Sequence, residues 1–142
     1  MNELNHPLIR ARAADIRAAT ARIEGLVRTT DAEFFADDRN LYAVQYLLLV
    51  AIEAAMGLCG HILARTARVA PSSYSECLEG LNERGILDDD LTARLRQMAR
   101  FRNLLVHRYW DVDPARVLDY ARNHLVDFES YLAAVERHIG PS

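Results

Sequence analysis

The chain has 142 residues, 51% of them hydrophobic and 26% charged, with 6 Gly, 4 Pro and 2 Cys. One domain spanning residues 1–142 is expected, and a disordered chain, a collagen-like repeat and a disulfide-dense mini-protein are excluded, because there is enough apolar matter to offset chain entropy. The net charge of −3 argues against a general polyanion binder, but it is unevenly spread: Leu91 to Trp110 holds five Arg and no acid (+5), leaving 12 Arg against 20 acids (−8) on the other 122 residues. The chain has no Lys, and Arg suits bidentate phosphate contacts better than Lys.

The apolar spacing is helical almost throughout, and strand-like alternation is absent. A first helix is expected over residues 7–27, where Leu8, Ile9, Ile16, Ile23, Leu26 and Val27 recur at helical spacing and Pro7 is tolerated in the first turn. A short turn over 31–36 should offer Phe34 and Phe35 to the core. The second long helix starts near Asp38 or Arg39 and reaches toward Val69. Its middle, LYAVQYLLLVAIEAAMGLCGHIL, is apolar on more faces than one buried stripe requires, which points to the centre of a bundle or to a homodimer interface. Gln45 and Glu53 interrupt that run, which reads as too short and too polar for a membrane span.

Pro71 follows, and Ser73 to Glu76 form a capping box that opens a short helix ending at Arg84-Gly85. Asp88, Asp89 and Asp90 favour the start of a helix over 89–106 through its dipole. Asp113-Pro114 then start one continuous last helix, on which Leu118, Ala121, Leu125, Phe128, Leu132, Val135 and Ile139 form a single stripe that stops at Gly140-Pro141. The expected fold is an all-α bundle of four long helices and one short one. The N-terminus lacks a basic-then-apolar signal pattern. Cys59 and Cys77, in no CxxC or metal spacing, read as separate buried thiols of a cytoplasmic protein.

The densest polar and aromatic stretch is RFRNLLVHRYWDVD, residues 100–113. His107 is the residue here whose ordinary pKa lies near neutrality, so it can trade protons at cytoplasmic pH. Arg102 can hold a phosphate and stabilise the charge of a phosphoryl transition state. Because RNA supplies its own 2′-OH nucleophile, His plus Arg suffice without a metal. Asn103 lies four residues before His107 and shares its face. Arg102 lies about 140° away on an ideal helix, so a loosened helix end or a pooling of motifs by two subunits is needed to unite the pair. The competing reading makes His107 a helix C-cap and the arginines a solvated face. His107 and Asp111 lack a third ligand at metal-site spacing, so no metal is expected. His61 reads as a hydrogen-bonded core or interface residue, and His6, His124 and His138 as surface or cap residues. Glu53 is costly inside an apolar helix unless paired, and Arg102 is a candidate partner.

The run Arg102-Asn103-Leu104-Leu105-Val106-His107-Arg108-Tyr109 resembles the R-x4-H-x-Y motif of the HepT-like toxins in the HEPN superfamily. The flanks YLLLVAIEAAMGLCGHIL, PSSYSECLEGLNERGIL and VDPARVLDYARNHLVDFESYL resemble that family too, so the likeness covers essentially the whole chain. The resemblance implies an all-helical homodimer whose two motifs meet in a cleft. It implies the toxin of a type II toxin–antitoxin pair: a metal-independent, cofactor-free endoribonuclease with Arg102 and His107 as catalytic residues and Asn103 as support; Glu53, as the candidate partner of Arg102, is taken as a second supporting residue. It also implies a cognate MntA-like nucleotidyltransferase antitoxin, able to place AMP on Tyr109. Arg100, Arg108 and Trp110 are the candidate RNA contacts, Trp110 by stacking on a base. The alternative is a non-catalytic helical partner that regulates a nucleotidyltransferase.

Overall fold

The computed structural model describes residues 4–68 and 70–140. Among the described residues there are seven α-helices, one 3₁₀ turn and no strand. They are α1 (His6–Val27), α2 (Asp31–Ala36), α3 (Asp38–Thr66), α4 (Tyr74–Glu83), α5 (Asp89–His107), the 3₁₀ turn (Tyr109–Asp111), α6 (Pro114–Asn123) and α7 (Val126–Ile139).

The central element is α3, which packs against α1, α2, α4, α5 and α6. Along α1 the buried positions Ile9, Ala13, Ile16, Ala19, Ile23 and Val27 form one stripe against it. Each fully buried Ile on that stripe contributes about 2 kcal/mol of burial free energy. The far side of the core is closed by Phe101, stacked on Tyr120 with centroids 4.6 Å apart, and by Tyr131, whose hydroxyl donates to the Ala55 carbonyl at 2.7 Å. All these residues belong to one contiguous core. Gly80 of α4 packs directly against the Leu63 side chain of α3: a Cβ there would stand 2.7 Å from Leu63 Cδ1. The helix α4 ends where Gly85 takes a φ of 75°, a conformation open to glycine.

Several expectations are corrected. The last helix is not continuous. It breaks at His124 and Leu125, where Asp127 N–H bonds the His124 carbonyl and Phe128 N–H the Leu125 carbonyl, three residues back instead of four. Asn123 and His124 are indifferent helix formers, and each side of the joint is tied elsewhere. Arg122 of α6 donates to the carbonyls of Val27 and Thr29 and pairs with Asp31, while Asp127 of α7 turns inward to Arg94 of α5. The apolar stripe survives the break because Leu125 stays buried.

Cys59 and Cys77 are not two separate thiols. They form a disulfide between α3 and α4, with Cα atoms 6.3 Å apart, because facing helices bring together residues that are 18 apart in sequence. The helix α3 ends at Thr66, short of Val69, which lies outside the described residues, as does Pro141. At 29 residues, with a mean hydropathy of 2.0 over its most apolar stretch, α3 is nevertheless long and apolar enough to cross a membrane, contrary to expectation. Of that stretch 56% is buried among the other helices, which gives its apolarity a reason inside the bundle. Residues 31–36 form a true helix, and only Phe34 enters the core; Phe35 meets it edge-on from the surface. The capping box is half made. Ser73 Oγ accepts the Glu76 N–H at 3.1 Å, but the Glu76 carboxylate accepts from Ser72 Oγ instead of reaching back to the cap.

Candidate active site

The helix α5 carries the polar motif, and its rotation is set by its buried stripe of Leu91, Leu95, Met98, Phe101 and Leu105. Asp88 caps its start, accepting the Leu91 N–H at 2.7 Å. Arg102, next to buried Phe101, turns toward α3 and α4 and is one-fifth exposed. Its Nε donates to Glu53 Oε1 at 2.6 Å and its Nη1 to Asn103 Oδ1 at 3.2 Å. The Arg102–Glu53 pair anticipated from the sequence therefore exists. Glu53 itself is not buried, however: it lies on the exposed side of α3 with 45% of its side chain accessible. A pair this open adds about 1 kcal/mol or less to stability. What it supplies is a fixed guanidinium.

A residue that sequence reasoning missed completes the cluster. Tyr74, the first residue of α4, donates its hydroxyl to Glu53 Oε2 at 2.5 Å, and its ring centroid lies 5.1 Å from Arg102 Cζ. Burial, and secondarily Glu53, push the Tyr74 hydroxyl pKa above its ordinary value of 10.0, so it stays protonated and donating. Beside this cluster a cleft of about 330 Å³ opens between the start of α4 and the middle of α5, lined by Ser72, Tyr74, Ser75, Arg100, Arg102 and Asn103 among others. A larger apolar groove of about 930 Å³ between α1 and α7 contains none of the motif residues.

His107 is the last residue of α5, and it is exposed. The α-helical pattern holds up to it, since Arg108 N–H bonds the Leu104 carbonyl at 3.0 Å, so no loosened end swings His107 toward Arg102 within one chain. Beyond it the 3₁₀ turn presents Tyr109 and Trp110, 71% and 67% exposed, with rings edge-to-face at 5.2 Å. Arg108 pairs with Asp111 at 2.6 Å, which removes Asp111 as a partner for His107.

The basic stretch is less bare than its charge suggests. Arg94 pairs with Asp90 and Asp127, and Arg96 with Glu79; with Arg102 and Arg108 also paired, the exposed Arg100 is the member with no ion pair among the described residues. No cluster of three or more His, Cys, Asp or Glu able to hold a metal occurs among the described residues. His61 accepts the Asn5 N–H at 3.0 Å and is hydrogen-bonded as expected. His124 caps α6 and stacks on Tyr120.

The chain is 39% identical over 75 residues to a protein of Archaeoglobus fulgidus provisionally named an RNase, a match covering 53% of this chain and 56% of that protein. It is 25% identical over 84 residues to the mRNA nuclease HepT of Shewanella oneidensis, covering 59% and 63%. The matched regions thus span less than two thirds of either relative. In three dimensions the fold is that of the tri-AMPylated Shewanella oneidensis HEPN toxin, solved in complex with its MNT antitoxin: TM-score 0.84, 24% identity, 92% of this chain and 97% of that one. The all-helical HEPN-type expectation is met, with seven helices in place of five. The family described as Ribonuclease HepT-like matches residues 16–135, from the middle of α1 nearly to the end of α7, and this chain belongs to it.

Proposed function

We propose that this chain is the toxin of a HEPN/MNT toxin–antitoxin pair, an endoribonuclease of the cytoplasm that works as a homodimer. The observation that carries the reading is the state of Arg102: a guanidinium held by Glu53 and Asn103 at the edge of an open cleft, on the same helix as an exposed His107. Five residues apart on a regular helix, the two lie about 140° from each other, and Arg102 is turned to Glu53 of α3, so the reaction needs two copies, each lending its motif to a shared cleft. The exposed side of α3, with Tyr42 and Tyr46 at 64% and 67% exposure and Glu53 two turns further on, is the surface on which the copies meet. A stable pairing there buries about 1,600 Å² in total.

In that cleft His107 takes the proton from the RNA 2′-OH, and the 2′-oxygen attacks the adjacent phosphorus. The bond to the 5′-oxygen breaks, and that oxygen takes a proton from solvent water to leave as a hydroxyl. A 2′,3′-cyclic phosphate remains. Arg102 neutralises the extra charge on the phosphoryl oxygens as the new bond forms. Arg100, Arg108 and Trp110 line the path of the strand. The likeness to a HEPN toxin solved in tri-AMPylated form supports a matching role for Tyr109, whose exposed side chain is open to AMP transfer by an MntA-like antitoxin. The added phosphodiester would pair with Arg102 or Arg108, and the nucleoside would occupy the space the RNA needs.

The test is cleavage of RNA by the purified chain with a chelator present. His107→Ala is expected to lower the rate by about 10²–10⁴-fold with the fold intact, since that is what general acid–base catalysis is worth. Undiminished cleavage by that variant, or an absolute need for a divalent ion, would count against the mechanism. A chain that cleaves nothing yet binds a nucleotidyltransferase would favour the regulatory-partner reading.

A further inference from the structure

We propose that Tyr74 is a positioning residue for Arg102, acting on it directly through its ring and indirectly through Glu53. The inference rests on the ribonuclease reading for its kinetic consequence, and on the geometry alone for the contact itself.

The start of α4 is held firmly. Ser73 Oγ accepts the Glu76 N–H, and Ser72 Oγ donates to the Glu76 carboxylate at 2.6 Å. One turn on, Cys77 is linked to Cys59 of α3, and Gly80 packs directly against the Leu63 side chain of α3. Tyr74 therefore has a fixed place over α3. Its hydroxyl engages Glu53 Oε2 at 2.5 Å while Glu53 Oε1 accepts from Arg102 Nε at 2.6 Å, so both oxygens of one carboxylate are used and the group cannot swing. The Tyr74 ring meanwhile supports the guanidinium from below, at 5.1 Å.

A guanidinium has five N–H groups. In Arg102 one goes to Glu53 and one to Asn103, so the remaining edge is available to a phosphate in the adjoining cleft. Glu53 is 45% exposed, and without the Tyr74 hydroxyl its second oxygen has only water to hold it. Arg102 would then sample other rotamers. Charge stabilisation depends on donors already aimed at the developing charge. The loss should therefore fall on the chemical step more than on substrate binding. Burial keeps the Tyr74 hydroxyl protonated, as the donor role requires.

The experiment uses the full chain. Tyr74→Phe, which keeps the ring and its packing, is expected to lower kcat for RNA cleavage about 10-fold with KM changed less than about twofold; Tyr74→Leu should lower kcat by about 100-fold. Adding Tyr74→Phe to Glu53→Gln should cost nothing further, because the hydroxyl acts through the carboxylate. Independently of activity, nitrogen-15 NMR of the Arg102 Nε–H should show exchange protection that both Tyr74 variants lose. Retained protection in Tyr74→Leu, fully additive losses, or an effect confined to KM would overturn the proposal. Loss of protection in a protein that cleaves no RNA would uphold the positioning and sink the ribonuclease reading. Cleavage that depends on Arg102 and His107 but is untouched in both Tyr74 variants would do the reverse.

Discussion

Removing the Arg94 guanidinium should destabilise the bundle more than removing the carboxylate it binds. Asp127, in the first turn of α7, has a side chain only 4% exposed, while the Arg94 side chain is 36% exposed. Arg94 also holds Asp90, itself 82% exposed, at 3.1 Å. Asp127→Ala therefore leaves Arg94 with water and a second carboxylate. That loss is about 1 kcal/mol, one charged hydrogen bond discounted for exposure. Arg94→Ala instead leaves a buried carboxylate without its cation. Breaking a buried pair this way costs about 3–5 kcal/mol, and the lower end applies because the α7 N-terminus offers partial compensation. At about 4 °C per kcal/mol for a chain of this size, Tm should fall by about 12 °C for Arg94→Ala and about 4 °C for Asp127→Ala. Circular dichroism melts near neutral pH measure both. The double replacement Arg94→Leu with Asp127→Leu should recover most of the loss, since no charge is then stranded. An Asp127→Ala loss equal to or larger than that of Arg94→Ala would refute the reasoning.

Three further outcomes are expected. Burial, and then the nearby Arg65, hold the His61 imidazole below its ordinary 6.5, and the neutral ring accepts the Asn5 N–H. With a lowered folded pKa, this contribution is complete above about pH 6.5 and is lost as pH falls through the folded value, so His61→Gln should flatten the decline of Tm on acidification. Tyr46→Arg places a charge in the middle of the exposed α3 surface and should convert a dimer to a monomer in sedimentation at micromolar concentration, abolishing cleavage with it. Tyr109→Phe should keep most of the RNA cleavage while accepting no AMP from the antitoxin, as intact-mass measurement would show; AMP still present on that variant would place the modification elsewhere.

The helices were legible because their apolar residues recur at 3.6-residue spacing, and the caps because Ser73, Asp88 and Asp113 precede negative charge or proline. The break at His124 was not, since Leu118, Leu125 and Leu132 keep their stripe across it and periodicity reports faces without reporting backbone continuity. In the site, Glu53 announced itself as a carboxylate within an apolar run, and its partner followed from needing a cation. Tyr74 gave no such signal. It is the first residue of its helix, 21 positions from Glu53, and only the docking of α4 on α3 places its hydroxyl. The Cys59–Cys77 link was hidden for the same reason: pairing across two helices has no spacing rule. The relation of Arg102 to His107 was half legible, because helix geometry alone says they diverge.

The tyrosines also differ in how much of the bundle must open to release them. Tyr131 is fully buried with its hydroxyl on the Ala55 carbonyl, so exposing it to a second enzyme means unfolding the core. Tyr42 and Tyr46 are exposed but lie within the long helix α3, whose central backbone amides should exchange with solvent only through global opening. Tyr109 follows the last buried residue of α5, Leu105, in a single 3₁₀ turn with no buried member. Amides over residues 106–112 should exchange through a local opening that leaves the core closed. A transferase seating a tyrosine against its own bound nucleotide can draw out that short segment at little cost in free energy. The bundle thus sorts its tyrosines by opening energy, and Tyr109 is the one it can surrender without coming apart.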